Sequence, residues 1–181
     1  MTAYVVLLFA VLSRLMPHFL HATGLGFTAV GGGLLYFGAR RSRWQATIAV
    51  AALMATDFYL TTMVYGLAFH AGAYLVTWLW YAAICLLGHG MLQGKPSALR
   101  VGGAVLASST SFFILSNFVV WMGGMYAHTM QGLVACYVAA IPFYANDALS
   151  TGLTAGALFG LPALAASIAH SVNDARTQHF A

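Results

Sequence analysis

The sequence predicts an all-α integral membrane protein of six transmembrane helices, with an extra short helix in the outer loop before the last span. Two observations carry that prediction. The 181 residues are 61% apolar and only 6% charged, with seven Lys and Arg against three Asp and Glu. A soluble domain carries about a quarter charged residues, so a surface this poor in charge must face hydrocarbon. The apolar residues also fall into successive stretches separated by charges, glycines and prolines, the pattern of a multi-pass chain.

The spans follow in order. Span one runs from Ala3 to Met16; it has no basic segment before it and no small-residue cleavage site after it, so it reads as a retained helix and not as a signal peptide. Span two, Phe27 to Ala39, lies in the glycine-rich stretch "GLGFTAVGGGLLYFG". Small residues there let helix backbones approach closely, and the lining of a ligand cavity is the other role open to them. Span three covers Trp44 to Tyr65 and span four Tyr74 to Leu92. Span five, Val101 to Trp121, contains the small and polar run "GGAVLASSTS", whose serines are expected to pack helices. Met130 to Tyr144 is apolar but ends at "IPFYAND", where a proline and two polar residues separate it from span six, Asp147 to Ala169. Without a solenoid repeat, a soluble domain or a long linker, residues 1–181 form a single transmembrane domain.

Orientation comes from the basic residues. Arg40, Arg41 and Arg43 lie between spans two and three, Lys95 and Arg100 between four and five, and Arg176 after six. All fall on one side if the chain starts inside, as the positive-inside rule requires. Counting Met130 to Tyr144 as a further full span would put Arg176 outside, so that stretch is assigned to a short helix packed in the outer loop under cover of the bundle. The formal charge of +4 is spread over short loops and not over one face, so nucleic acid is not an expected partner.

Under this topology the outer side collects a polar set. Arg14, His18 and His21 come from the end of span one and its loop; Asp57, Thr61 and Tyr65 from span three; His70 and Tyr74 from the loop and span that follow. Asn117, Trp121, Tyr126 and His128 come from span five and its loop, and Asn146 and Asp147 precede span six. Asp57 stands about thirteen residues, or ~20 Å, from the inner end of its span, which buries it in the outer half of a ~30 Å core. Asp57, Thr61 and Tyr65 recur at i, i+4 and i+8 and share one face of a regular helix. That face must look into the bundle or a wet cavity, with Arg14 as the charge partner. A buried pair that only fixes helix register is the alternative. The ligand-binding candidates are His18, Asp57, Tyr65, His70, Tyr74, Asn117, Tyr126 and Asn146, with His70 the candidate metal ligand because neutral imidazole binds transition metals.

Other chemistries find no motif. "GKPS" at Gly94 to Ser97 lacks the first glycine of a phosphate loop and has Pro96 after the lysine. No HExxH, GxSxG or CxxCH occurs, and Cys85 and Cys136 have no CxxC spacing. No nucleophile–base pair can be assembled, so an enzyme is not expected.

Three stretches carry a resemblance: "SRLMPHFLHATGLGFTAVGGGLLYFGA" from Ser13, "MATDFYL" from Met54, and "SFFILSNFVVWMGGMYAHTMQGLVACYVAAIPFYAN" from Ser111. Together they resemble an uncharacterised bacterial membrane family that takes in the BtuM-type solitary cobalamin transporters, themselves similar to the S-components of energy-coupling-factor transporters. The resemblance implies a six-helix, S-component-like bundle in the bacterial cytoplasmic (inner) membrane, with both termini cytoplasmic and a corrinoid pocket on the outer side. It implies binding residues at His18, at Asp57 and in the loop after span three. There the sequence has His70 where the cobalamin binders carry a cobalt-ligating cysteine. Imidazole can ligate cobalt but lacks thiolate chemistry, so cysteine-dependent decyanation does not carry over. Ala145-Asn146 stands where Arg-Asn is expected, which weakens an anionic contact. Span one lacks the Ala-x-x-x-Ala patch by which S-components dock on an energising module, as fits a solitary protein.

The expectation is thus a membrane uptake protein whose partners are the lipid bilayer and a vitamin or corrinoid (cobalamin-like) ligand, with His70 as cobalt ligand. Two other classes fit the same residues. One is a small metal- or haem-binding membrane subunit using His18, His70 and His128; the other is a structural subunit of a larger membrane complex.

Overall fold

The computed structural model describes residues 1–19 and 27–179, without the side chains of 16–19, 170 and 172–179. These residues form helices α1 (Thr2–Phe19), α2 (Val30–Arg40), α3 (Ala46–Tyr59), α4 (Ala71–Met91), α5 (Ala98–Met122), α6 (Met130–Ala155) and α7 (Leu161–His179). No strand occurs among the described residues. A π-helical turn, Leu60–Val64, extends α3, and another, Gly156–Gly160, joins α6 to α7.

Four helical stretches are long and apolar enough to cross a membrane: Arg43–Val64, Ala71–Met91, Ala98–Met122 and Met130–Ala169. Large apolar side chains such as Val5, Phe9, Leu79, Leu115 and Val138 point outward. Such a surface is stable against lipid, where every backbone polar group is satisfied within its helix. The chain is a membrane protein.

The short helix α2 is the axis of the bundle. Its 11 residues rise ~16 Å, about half the hydrocarbon thickness, and all of them except Tyr36 and Arg40 are buried. Helices α1, α4 and α6 pack around it, and Leu34, Leu35 and Phe37 have no exposed surface. Glycine is a poor helix former, so packing, not propensity, holds this segment. The glycines permit that packing. A Cβ on Gly38 would collide with the carbonyl of Cys85 in α4, and one on Gly88 of α4 would collide with the carbonyl of Leu35 in α2. The two helices touch backbone to backbone, as the glycine-rich sequence predicts.

The basic residues gather at one end. Arg41 lies 4.4 Å from the Tyr4 ring centroid, and the Gln45 amide donates to the Tyr4 hydroxyl at 2.9 Å. Arg40 sits 5.4 Å from the Tyr36 ring and donates to the Gly94 carbonyl at 3.3 Å. The start of α1, the α2–α3 turn and the α4–α5 turn therefore share one face of the bundle.

One element differs from expectation. Met130 to Tyr144 is not a separate short helix in a loop, and no break precedes Asp147; α6 runs unbroken through Pro142. Proline forfeits one backbone hydrogen bond and strains the preceding turn, but α5 anchors the helix on both sides of it. The Tyr137 hydroxyl donates to the Ile114 carbonyl at 2.7 Å, and the Tyr144 and Thr110 hydroxyls meet at 3.0 Å. Phe113 packs against both tyrosine rings.

The backbone contact between α2 and α4 makes a direct prediction. Gly88→Ala should lower stability by ~1–3 kcal/mol, the usual cost of overpacking, because a carbonyl in a helix cannot move aside. Gly90, two residues on, has nothing within 4 Å of its Cβ position, so Gly90→Ala should leave the melting temperature of the detergent-purified protein unchanged or slightly raised. Equal melting temperatures for the two variants would contradict the packing.

Candidate functional site

Three helices bring a charged network to the half of the bundle away from the basic end. Arg14 of α1 reaches Asp57 of α3 with Nη1 2.7 Å from Oδ1. The same guanidinium donates to the Tyr81 hydroxyl of α4. The indole N–H of Trp78 donates to Asp57 Oδ2 at 2.9 Å. Both carboxylate oxygens are thus taken, and the residue is only 2% exposed. A buried ion pair survives where geometry and extra hydrogen bonds offset desolvation, and here an indole and a phenol supply those bonds.

Thr61 extends the network. Its hydroxyl lies 2.7 Å from the Asp57 carbonyl and 2.6 Å from the Tyr74 hydroxyl. Thr61 belongs to the π turn after Asp57, where the Tyr65 N–H reaches back five residues to the Leu60 carbonyl. Such turns recur at functional sites. The turn also explains why Tyr65 leaves the face it would share with Asp57 on a regular helix: the extra residue rotates the chain beyond it, and Tyr65 is 60% exposed.

Next to the pair is a cavity of about 360 Å³, at the lower end of small-molecule sites. Its charged lining is Arg14, Asp57 and Asp147; aromatic walls come from Tyr74, Trp80, Tyr81, Phe112 and Phe143; Thr28, Thr77 and Asn146 add neutral polar groups. Arg14 keeps 23% of its side-chain surface exposed, so it faces the cavity while holding Asp57. Behind the lining residue Tyr74, the Phe69 ring stacks on it with centroids 5.2 Å apart, and on Trp78 at 6.2 Å.

Of the residues singled out from sequence, the cavity unites Asp57, Tyr74 and Asn146 with Arg14 and Asp147. Tyr65, His70, Asn117 and Tyr126 lie outside its lining. His70 is exposed at the start of α4, beside Phe69. Asn117 donates to the Phe113 carbonyl at 2.7 Å, and His128 Nε2 lies 3.0 Å from the Trp121 carbonyl. His18 falls within α1, but its side chain is outside the described residues, as is all of His21. No group of three or more His, Cys, Asp or Glu able to hold a metal occurs among the described residues. Trp78 and Tyr81 are the functional residues that sequence reasoning passes over. Their signal is present: Tyr74, Trp78 and Tyr81 recur at i, i+4 and i+7, one aromatic face of α4.

A family model matches residues 1–173. The chain belongs to the family of unknown function DUF6580. No curated protein and no solved structure matches it. The DUF6580 match covers every residue of the ion pair and the cavity.

The pair in this DUF6580 chain should be strongly coupled. Asp57→Ala leaves the Arg14 cation without its partner and should cost ~3–5 kcal/mol, the usual cost of breaking a buried pair. Arg14→Met combined with Asp57→Ala should recover much of that loss. Additive losses in a double-mutant cycle, read by thermal unfolding in detergent, would show that the two residues act separately.

Proposed function

We propose that the protein is a six-pass, S-component-like binding protein of the bacterial cytoplasmic membrane that takes up a vitamin-class ligand, a corrinoid such as cobalamin, from the outer side. The observation that carries this reading is the cavity beside the Arg14–Asp57 pair, an ionic and aromatic pocket inside an otherwise apolar bundle. Ionisable residues at such depth are rare, pair with one another and mark substrate or ion pathways. The basic end formed by Arg40, Arg41 and Lys95 is the cytoplasmic one by the positive-inside rule, which gives cytoplasmic termini and an outward-facing cavity. The resemblance of the sequence to the BtuM-type transporters supplies the ligand class.

Size sets how such a ligand would sit. A corrin macrocycle is larger than about 360 Å³, so the cavity receives an edge with its amide arms while the ring lies over the rim. Asn146, Thr77 and Tyr74 match neutral amides, which both donate and accept hydrogen bonds. His70, exposed at the start of α4 next to Phe69, is the candidate cobalt ligand.

The test is the ultraviolet–visible spectrum of detergent-purified protein after incubation with cobalamin and desalting. A retained corrinoid band is expected, shifted from that of free cobalamin and altered in His70→Ala. Asn146→Leu should lower affinity about tenfold, which corresponds to ~1.4 kcal/mol. Loss of all corrinoid on desalting would overturn the ligand, and an unchanged spectrum in His70→Ala would remove the histidine from the cobalt.

A further inference from the structure

Hydroxyl side chains buried in helices usually donate to the carbonyl one turn earlier. Ser13, Thr56, Thr61, Ser111 and Ser150 all do so here, at 2.6–2.9 Å. Ser108 and Ser109 of α5 and Thr151 and Thr154 of α6 do not. Ser108, Ser109 and Thr151 have no exposed surface, Thr154 is 8% exposed, and none of the four hydroxyl oxygens has a hydrogen-bond partner. Asp147, one turn before Thr151 on α6, has a buried Oδ2 in the same condition. Its carboxyl faces the fully buried Ser109 across the α5–α6 interface, and the Ser109 hydroxyl has no hydrogen-bond partner either. No Lys, Arg or His pairs with Asp147 among the described residues, whereas Asp57 has Arg14.

Unpartnered buried oxygens of this kind are rare in native proteins and call for a missing partner. The third wall is α2. Thr151 Oγ1 points at Gly31, where a Cβ would collide with it, and Gly31 and Asp147 both line the cavity. The sequence thus withholds a side chain where α6 presents an oxygen. We infer that Asp147, Ser108, Ser109 and Thr151 form a site for a monovalent cation, sodium, at the junction of α2, α5 and α6.

The chemistry selects the ion. Hard cations take oxygen ligands, and carboxylate with hydroxyls is such a set. One carboxylate balances one positive charge, whereas a divalent ion would leave an uncompensated charge inside an apolar bundle. The absent Cβ at Gly31 lets α6 bring the Thr151 oxygen against α2. Because Asp147 also lines the cavity, the bound ion forms part of its wall. The inference does not rest on what that cavity binds.

The experiment measures binding of radioactive sodium to the purified full-length protein in detergent, alongside its melting temperature as choline chloride is replaced by sodium chloride at constant ionic strength. Wild-type protein should bind one sodium ion per chain saturably, and its melting temperature should rise with sodium but not with potassium. Asp147→Asn and Thr151→Val should each weaken sodium binding at least tenfold. Thr151→Val keeps the side-chain shape and charge, so it serves where Asp147→Asn fails to fold. Ser167→Ala, on the exposed α7, should bind as wild type does. Absence of saturable sodium binding by wild-type protein, equal effects of sodium, potassium and choline, or undiminished binding by Thr151→Val would each overturn the site and leave the hydroxyls to ordered water.

Discussion

A carboxylate within an apolar bundle is tolerated only when a cation and hydrogen-bond donors take up its oxygens, and Asp57 meets that condition by drawing on three helices. Arg14 comes from α1 and Trp78 from α4, with Tyr81 of α4 holding the far side of the guanidinium. The pair fixes the rotation of α1, α3 and α4 about their axes, since a turn of any one would strand a charge. Those rotations aim the aromatic face of α4 at the cavity. The ion pair and the cavity are therefore one construction, and the pocket exists because the charges had to be gathered.

The second constraint is the closeness of α2 to its neighbours. An eleven-residue helix is too short to face lipid across the whole hydrocarbon, so the longer helices must enclose it, and glycine at each contact allows this. Along α4 the contact is backbone on backbone. Along α6 it is glycine against threonine: Gly31 faces the Thr151 hydroxyl, and Gly32 faces the Thr154 Cβ and methyl. A single glycine-rich segment thus serves a tight structural seam on one side and a polar seam on the other. The polar seam is the one adjoining the cavity.

Much of this is legible in the sequence. Sparse charge in an apolar chain specifies membrane helices, and Asp57 and Arg14, with few other charges available to either, specify each other. The glycine run announces close packing. The features that escape depend on local geometry that periodicity does not encode. Counting on a regular helix places Tyr65 with Asp57, and one π turn between them moves it out. Pro142 reads as a boundary, but the bonds of Tyr137 and Tyr144 to α5 keep α6 continuous across it. Trp78 and Tyr81 are hidden by being ordinary members of an apolar helix; only a buried acid opposite them turns an indole and a phenol into ligands. The hydroxyls of Ser108 and Thr151 are hidden more deeply, because a buried serine usually bonds its own helix and nothing in the sequence marks one that does not.

The two aspartates of the cavity show why burial alone does not define a role. Asp57 is already served: each oxygen has a donor, and the residue is only 2% exposed. Asp147 has an oxygen with no donor at all and hydroxyls nearby in the same state. A buried acid with a donor on each oxygen contributes shape and fixed charge to a pocket, while one with a bare oxygen contributes binding capacity. The division assigns the walls of the cavity on the α1, α3 and α4 side to positioning, through Arg14 and the aromatic face. It assigns the α2, α5 and α6 side to capture of a cation, whose charge completes what the sequence leaves unbalanced there.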